Sequence, residues 1–477
     1  MTSRQVTLAA QDAAVRQGLG EVRRELGIPA DFPPDVLAAA RAATVPLSRY
    51  DDATDIPFVT IDPEGSMDLD QAVHVERRGR GYRVRYAIAD VAAFVIPGGV
   101  LDAEARQRGL TLYAPDGRIP LHPAELSEGA ASLLPQQERP AVVWTLDLDS
   151  DAAVRSTDVR RARIISRAQL AYDEVQRQLD DGAADELLIG LRDVGLGRQE
   201  QERQRGGVDL PVPEQVVTND DGEWRLSFRA PLPVEGWNAQ ISLMTGMAAA
   251  DLMLAAGTGI LRTMPPPAPA DLARVRRTAK ALGLTWPQDG SYADLIRTAD
   301  PRQPAHLAFL SLATTLLRGA GYTTFAGAPP ELSTHSAVAA PYAHVTAPLR
   351  RLVDRFGTEI ALAAVAGENT PEWVTTALGE LPDLMMGATR VSRSLERESI
   401  NLIEAVLLEP RLGDRFAAAV VDSDRRSGFT IVIRDPGVRA RAKGQLTVGT
   451  AADVTLVTAD PQRRTVLFDG SSTLAET

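Results

Sequence analysis

The sequence predicts a multidomain α+β protein: a small N-terminal helical unit, a mixed α/β catalytic domain and a C-terminal β-barrel of the OB type. Three observations predict it. Apolar residues recur at helical spacing near the start, strand and helix patterns mix from about Asp51 to Glu409, and past Pro410 short alternating runs take over. At 477 residues the chain is also too long for one ordinary core, so two or three domains are expected.

The first helix is expected from Val6 to Leu26, with Arg23, Arg24 and Glu25 near its end and Gly27 to stop it. Pro33, Pro34 and Asp35 then open a short Ala-rich helix to Ala43, and the two are expected to make a compact helix-turn-helix-like unit over residues 1–50. In the second region, residues 51–409, Phe58 to Ile61 reads as a strand entering an acidic cluster and Tyr82 to Val91 as an alternating strand beyond it. The proline tract from Pro265 to Pro269 reads as an internal loop before a helix over Asp271 to Leu282. Ala388 to Leu408 has an amphipathic helical pattern without internal Gly or Pro. In residues 410–470, strands are expected at Phe416 to Val421, Phe429 to Ile433, Asp453 to Val457 and Arg464 to Phe468. Turn signals at Ser427-Gly428, Asp435-Pro436-Gly437 and Val448-Gly449 separate them, and residues 471–477 read as a tail.

Composition narrows the function. A net charge of −12 argues against nonspecific coating of nucleic acid, but Arg411 to Gly470 carries ten Lys and Arg against seven Asp, so one end is relatively basic. Zero Cys excludes a disulfide framework, a thiolate metal site and a Cys nucleophile, and five His leave little room for histidine catalysis. No apolar run is expected to span a membrane and no signal pattern opens the chain, so a cytoplasmic protein without membrane contact is expected.

The chemistry concentrates between Thr60 and Gln71, where Asp62, Asp68 and Asp70 lie close together. Converging carboxylates repel one another, and a divalent cation balances them; hard oxygen donors suit Mg²⁺ or Mn²⁺ better than Zn²⁺. Metal-assisted chemistry on a phosphate ester is the first hypothesis. A solvated acidic turn and an Asp-x-Asp sugar-nucleotide transferase stay open on these residues alone. A calcium loop of the EF-hand kind does not fit, since no Gly follows at the turn position and no Glu closes the loop.

Three separated segments then resemble the ribonuclease II family, the RNB-domain exoribonucleases. They are Thr60 to Ala72 followed by Ala87 to Ala92; Leu101 to Ala105 with Leu112 to Pro115 and Ile119 to Ser127; and Tyr342 to Arg351, which contains Thr346-Ala347-Pro348-Leu349-Arg350-Arg351. The resemblance covers roughly residues 51–470. It implies processive 3′→5′ hydrolysis of single-stranded RNA with a free 3′ end to nucleoside 5′-monophosphates, with Mg²⁺, or Mn²⁺, in a buried site at the end of a narrow channel. By position it implies Asp70 and Arg350 as catalytic residues and Asp62, Asp68, Asp70 and Gln71 as the metal set. Tyr113, Tyr172, Arg351 and Glu396 would contact substrate. Gln71 departs from the pattern, because the family has a fourth aspartate there, and an amide oxygen ligates a cation without balancing its charge. An RNA-binding chain with weak or no catalysis is therefore the runner-up. His122 and His344 lie inside the motifs, isolated from other His, and read as structural. Family members often begin with cold-shock OB domains; here the helical unit is expected to stand in their place, contacting RNA or serving as a packing appendage, and leaving the channel open to duplexes with a 3′ overhang. A monomer is expected.

Overall fold

The computed structural model describes residues 3–287, 289–424 and 428–471, with side chains from residue 11 onward. Helix α1 (Ser3–Glu25) carries Arg23 and Arg24 in its last turn, where cations meet the negative end of the helix dipole, and Gly27 at φ +65 turns the chain away. Helix α2 (Pro34–Ala42) begins on proline, whose missing N–H is unneeded in a first turn.

Strands β1 (Phe58–Asp62), β2 (Gln71–Arg78) and β3 (Gly81–Ala89) follow, then helix α3 (Val100–Arg108) and a short hairpin of β4 (Leu112–Ala114) and β5 (Gly117–Ile119). Strands β6 (Glu138–Leu148) and β7 (Val154–Ala171) complete the sheet. Pairing runs β1 to β2, β2 to β3, β3 to β6 and β6 to β7, all antiparallel, and β7 returns to β1 in parallel, so the sheet closes on itself. The length of β7 permits this: residues up to Ile165 pair with β6 and residues from Ser166 on pair with β1.

Because side chains alternate along a strand, each face of this sheet feeds its own core. Val73, Val75, Val84, Tyr86, Trp144 and Leu146 share one cluster with later helices. Phe58, Ala72, Ala87, Val143 and Ile164 share the other with Val36 and Ala40 of α2.

Beyond the sheet come α4 (Tyr172–Asp180), α5 (Glu186–Arg205), a hairpin of β8 (Glu214–Asp220) and β9 (Glu223–Arg229), and α6 (Pro233–Ala256). Helix α6 has the length and apolar composition to cross a membrane, so the expectation that no run reaches that length needs correction. Its apolar residues are those of a core helix: Val234, Ile241, Met244 and Met253 are fully buried against the sheet and the helices around it.

Strand β10 (Thr258–Thr263) leads to α7 (Pro269–Ala281), α8 (Tyr292–Thr298) and α9 (Pro304–Ala313), and β11 (Gly321–Ala326) pairs back on β10. Helices α10 (Leu352–Ala366), α11 (Glu372–Ala377) and α12 (Leu381–Leu408) end the middle region. Helix α12 starts seven positions before the expected Ala388, because Pro382 sits in its first turn and Gly387 is tolerated inside it.

Strands β12 (Arg415–Asp424), β13 (Gly428–Ile433), β14 (Val438–Lys443), β15 (Ala451–Asp460) and β16 (Thr465–Asp469) form the closed C-terminal barrel, in the order β12-β13-β14-β16-β15. The expected turn at Asp435-Pro436-Gly437 joins β13 to β14; Ser427 and the tail past Ser471 lie outside the described residues.

Both N-terminal helices form, but they bury their faces in separate places. Val15 and Leu19 of α1 join the barrel core with Leu402 and Val406 of α12 and Trp224 of β9, whereas α2 packs on the catalytic sheet. The barrel therefore shares one hydrophobic core with α1 and α12.

Helix α6 also fixes the approach to the arginine motif. Gly246 accepts a hydrogen bond from the Ala343 N–H at 3.0 Å, and a methyl group there would stand 2.5 Å from the Ala343 carbonyl oxygen. Backbone cannot yield as a flexible side chain would. Gly246→Ala is expected to destabilise the chain by about 1–3 kcal/mol, the usual cost of overpacking, as read from urea unfolding. An unchanged midpoint would show that the contact relaxes freely.

Candidate active site

Asp62 is the last residue of β1, Gln71 the first of β2, and Asp68 and Asp70 lie on the loop between them. That loop is held by its own backbone. Leu69 donates to Ser132 Oγ at 3.0 Å, Ser132 Oγ donates to the Met67 carbonyl at 2.6 Å, Leu133 donates to the Leu69 carbonyl at 3.0 Å, and Ala89 donates to the Asp70 carbonyl at 2.9 Å. With every one of these backbone groups paired, the aspartates point where the strands aim them.

The arginine loop comes from the other end of the catalytic region. Leu349 donates its N–H to Asp70 Oδ1 at 2.7 Å, and Arg350 Nε lies 3.3 Å from Asp70 Oδ2, so one carboxylate meets both. Leu69 and Leu349, each adjacent to one of these residues, are buried in the same cluster and pin the two loops together. Thr111 donates to the Arg350 carbonyl at 3.0 Å and Leu352 to the Gly109 carbonyl at 3.0 Å, which fixes the loop from its far side.

Arg351, expected to position phosphate, is committed elsewhere. Its Nε and Nη2 each sit 2.8 Å from the two oxygens of Asp354, a bidentate pair, and Asp354 Oδ1 also accepts from the Ala347 N–H at 2.6 Å. Asp354 is fully buried in the first turn of α10, so Arg351 staples the loop that carries Arg350.

Tyr113 on β4 exposes 54% of its surface while its phenol end lies against Arg350, and burial of that end raises its pKa. Tyr172 begins α4, accepts from Asn238 Nδ2 at 3.1 Å and lies near Asp62 and Arg350, with burial again raising its pKa. Glu396 stands on the exposed side of α12 and makes no hydrogen bond or ion pair among the described residues. His122 and His344 are buried structural residues. Burial pushes His122 down to about 3 and His344 well below its ordinary value, and His344 Nδ1 lies 2.7 Å from the Tyr322 hydroxyl.

Burial governs the acids as well. It raises Asp70 to about 7 and Asp62 to about 6; Arg350 opposes both shifts, and Asp68 adds to both. Asp62 Oδ2 is buried with no hydrogen-bond partner, a costly state that a bound cation would relieve. Asp68 instead pairs with Arg118, which also reaches Glu128 at 2.8 Å. In this arrangement no three acidic or histidine side chains among the described residues are gathered tightly enough to hold an ion. The donor chemistry suits a hard divalent cation, with Asp62 free and Asp68 needing release from Arg118. Gln71 is tied on both ends of its amide: Nε2 donates to the Thr346 carbonyl, and Oε1 accepts from Tyr86 Oη at 3.0 Å.

Several of these parts carry no sequence signal. Arg118 and Asn238 act through partners that only the fold supplies, whereas Asp354 stands three residues after Arg351 and its pairing could have been read from that spacing. Arg262 of β10 is a further case: it lies over the Tyr322 ring at 4.7 Å, no carboxylate pairs with it among the described residues, and burial together with Arg351 and Arg393 lowers its pKa.

Comparison with known proteins gives the family and the fold. The RNB domain model matches residues 50–360 and the RNase II-type exonuclease C-terminal S1 domain model matches residues 414–469, so the chain belongs to the RNB family. The exosome complex exonuclease RRP44 homolog A of Arabidopsis thaliana is 29% identical over 401 residues, 80% of this chain and 42% of that protein. The chain spans well under half the length of the curated relatives it matches. The structure of Mycoplasma genitalium RNase R in complex with ribose methylated single-stranded RNA superposes with a TM-score of 0.86 at 20% identity, covering 94% of this chain and 77% of that one. Yeast Ssd1, a pseudonuclease, superposes with a TM-score of 0.73 at 16% identity, over 94% of this chain and 57% of that one. The fold is thus that of the RNB proteins, whether or not they cut.

Two predictions follow from the electrostatics. Because the folded chain holds a proton on Asp70 up to about pH 7, against 3.8 ordinarily, it binds more protons than the unfolded chain between those values, and stability falls as pH rises through that window. In cation-free buffer Asp70→Asn should therefore melt higher than the parent at pH 8, with the gap closing toward pH 4; a pH-independent gap would contradict the burial of Asp70. Asp354→Ala, which strands Arg351, should cost about 3–5 kcal/mol in urea unfolding, the range for breaking a buried pair.

Proposed function

We propose that the chain is a processive 3′→5′ exoribonuclease that hydrolyses single-stranded RNA to nucleoside 5′-monophosphates, using Mg²⁺ or Mn²⁺ and acting as a monomer in the cytoplasm. The observation that carries this reading is the Asp70 carboxylate held against Arg350 by two loops 279 positions apart, on a fold of the RNB family. Asp62, Asp68 and Asp70 are the residues that would hold the cation. When bound, it would lower the pKa of an attacking water and offset charge on the phosphate.

The chain's own side chains supply the rest. Asp70 orients Arg350, whose side chain keeps 47% of its surface exposed, and that free side of the guanidinium fork suits the oxygens of a reacting phosphate. The open ring of Tyr113 beside it offers a stacking face for a base, worth about 1–3 kcal/mol. The resemblance of the motifs to the family supports the 3′→5′ direction, and a 3′-overhang duplex presents the same free end.

A second reading, an RNA-binding chain that cuts weakly or not at all, is favoured by Gln71, whose amide oxygen already accepts from Tyr86. One assay separates the readings: a 5′-labelled poly(A) oligomer incubated with the protein and Mg²⁺. Mononucleotide release supports the exonuclease, a mobility shift without cleavage the binder, and neither outcome leaves the transferase.

Within that assay Asp70→Asn and Arg350→Ala should each lower cleavage by at least about a hundredfold, as loss of a transition-state contact does, with RNA affinity within a few-fold. Near-normal turnover in either variant would refute the assignment of the site.

A further inference from the structure

A second charged site lies where α5 and α6 meet the start of β7. A cavity of ≈ 440 Å³ there is lined by Thr157, Arg198, Arg205, Met244, Met247 and Asp251, among others. Its volume is that of a small-molecule pocket, about 300–1,000 Å³.

Arg198 is only 5% exposed, yet its Nε has no hydrogen-bond partner; Nη1 donates to the Ala152 carbonyl at 3.1 Å, which pins the side chain in place. Gly197 makes this close approach possible, since a methyl group on it would lie 2.6 Å from Ala152 Cβ. Arg205, half-buried at the end of α5, also has a buried Nε without a partner. Among the described residues neither guanidinium forms an ion pair. The nearest acid, Glu202, accepts instead from Gln240 Nε2 at 2.6 Å, and Asp251 on the wall formed by α6 pairs with neither arginine. Arg155, which also lines the cavity, is already matched by Asp149.

Guanidiniums taken out of water without a paired carboxylate oppose folding, and Glu202 offsets both only from a distance. Burial lowers both arginines, Arg198 to about 10, with Arg205 adding to the shift. A dianion in the cavity would balance both charges, and the arginine fork matches the oxygens of a phosphate. We propose that this cavity binds a small phosphate ester, its phosphate on Arg198 and Arg205 and its organic part against Met247. None of these residues belongs to the carboxylate site, so the inference stands whether or not the chain cuts RNA.

The test is the thermal shift of the full chain with inorganic phosphate and with a nucleoside 5′-monophosphate, repeated in Arg205→Ala, Arg198→Met and Arg350→Ala. Both ligands should raise the melting midpoint of the parent and of Arg350→Ala. Arg205→Ala should weaken binding by at least about tenfold, the loss expected for one charge-assisted contact. Arg205 is the decisive variant should the buried Arg198→Met fail to fold, and circular dichroism checks each. Binding that survives Arg205→Ala would overturn the proposal, and its loss in Arg350→Ala would further place the phosphate at the carboxylate site. No shift with either ligand would overturn it as well. So would stoichiometric displacement by short single-stranded RNA in Arg350→Ala, since the cavity would then belong to an RNA path.

Discussion

The contact between Asp70 and the Leu349-Arg350 segment is the constraint on which the rest of the structure depends. It places a carboxylate that is 3% exposed against a guanidinium and a backbone N–H from the far end of the catalytic region. A buried carboxylate is costly unless donors meet it, and here burial outweighs those donors, since the acid is still pushed up to about 7. That imbalance is typical of functional sites, where stability is given up for chemistry. The closed sheet holds one partner and the staple of Arg351 on Asp354 holds the other.

The scaffold around the site is built from further buried ion pairs. Arg355 on α10 meets Asp102 on α3 at 2.6 Å and the Val95 carbonyl at 3.0 Å, and Arg106 reaches the other oxygen of Asp102 at 3.1 Å. This joins the second sequence motif to the helix that follows the arginine loop. Asp90, in the first motif, accepts from both Tyr50 and Arg161 at 2.7 Å. The acidic residues outside the catalytic loop thus serve geometry: they lock α3, α10 and the sheet so that the two functional loops meet.

Much of this was legible in the residues. Two strands flanking one short acidic loop put Asp62 and Asp70 in one place, while Asp68 turns to Arg118, and the arginine motif was legible through its resemblance to the family. The partners of Asp68 and Asp70 were not legible, because Arg118 and Leu349 become their neighbours only through long-range packing. Strand β14 escaped notice for a local reason: its buried positions are Val438, Ala440 and Ala442, and two alanines between arginines give a weak alternation. The N-terminal helices were visible as helices, but nothing in an isolated amphipathic pattern tells which core receives it, and Leu19 goes to the barrel while Val36 goes to the sheet.

The account's central claim is that Asp70 and Arg350 act as one unit. A double-mutant cycle on kcat/KM for cleavage of a short single-stranded RNA, using Asp70→Asn, Arg350→Ala and the pair, measures this directly. Residues that share one task are strongly non-additive, so the double variant should be within a few-fold of the worse single variant. Losses that multiply in full would show two independent contributions and contradict a site built on that contact.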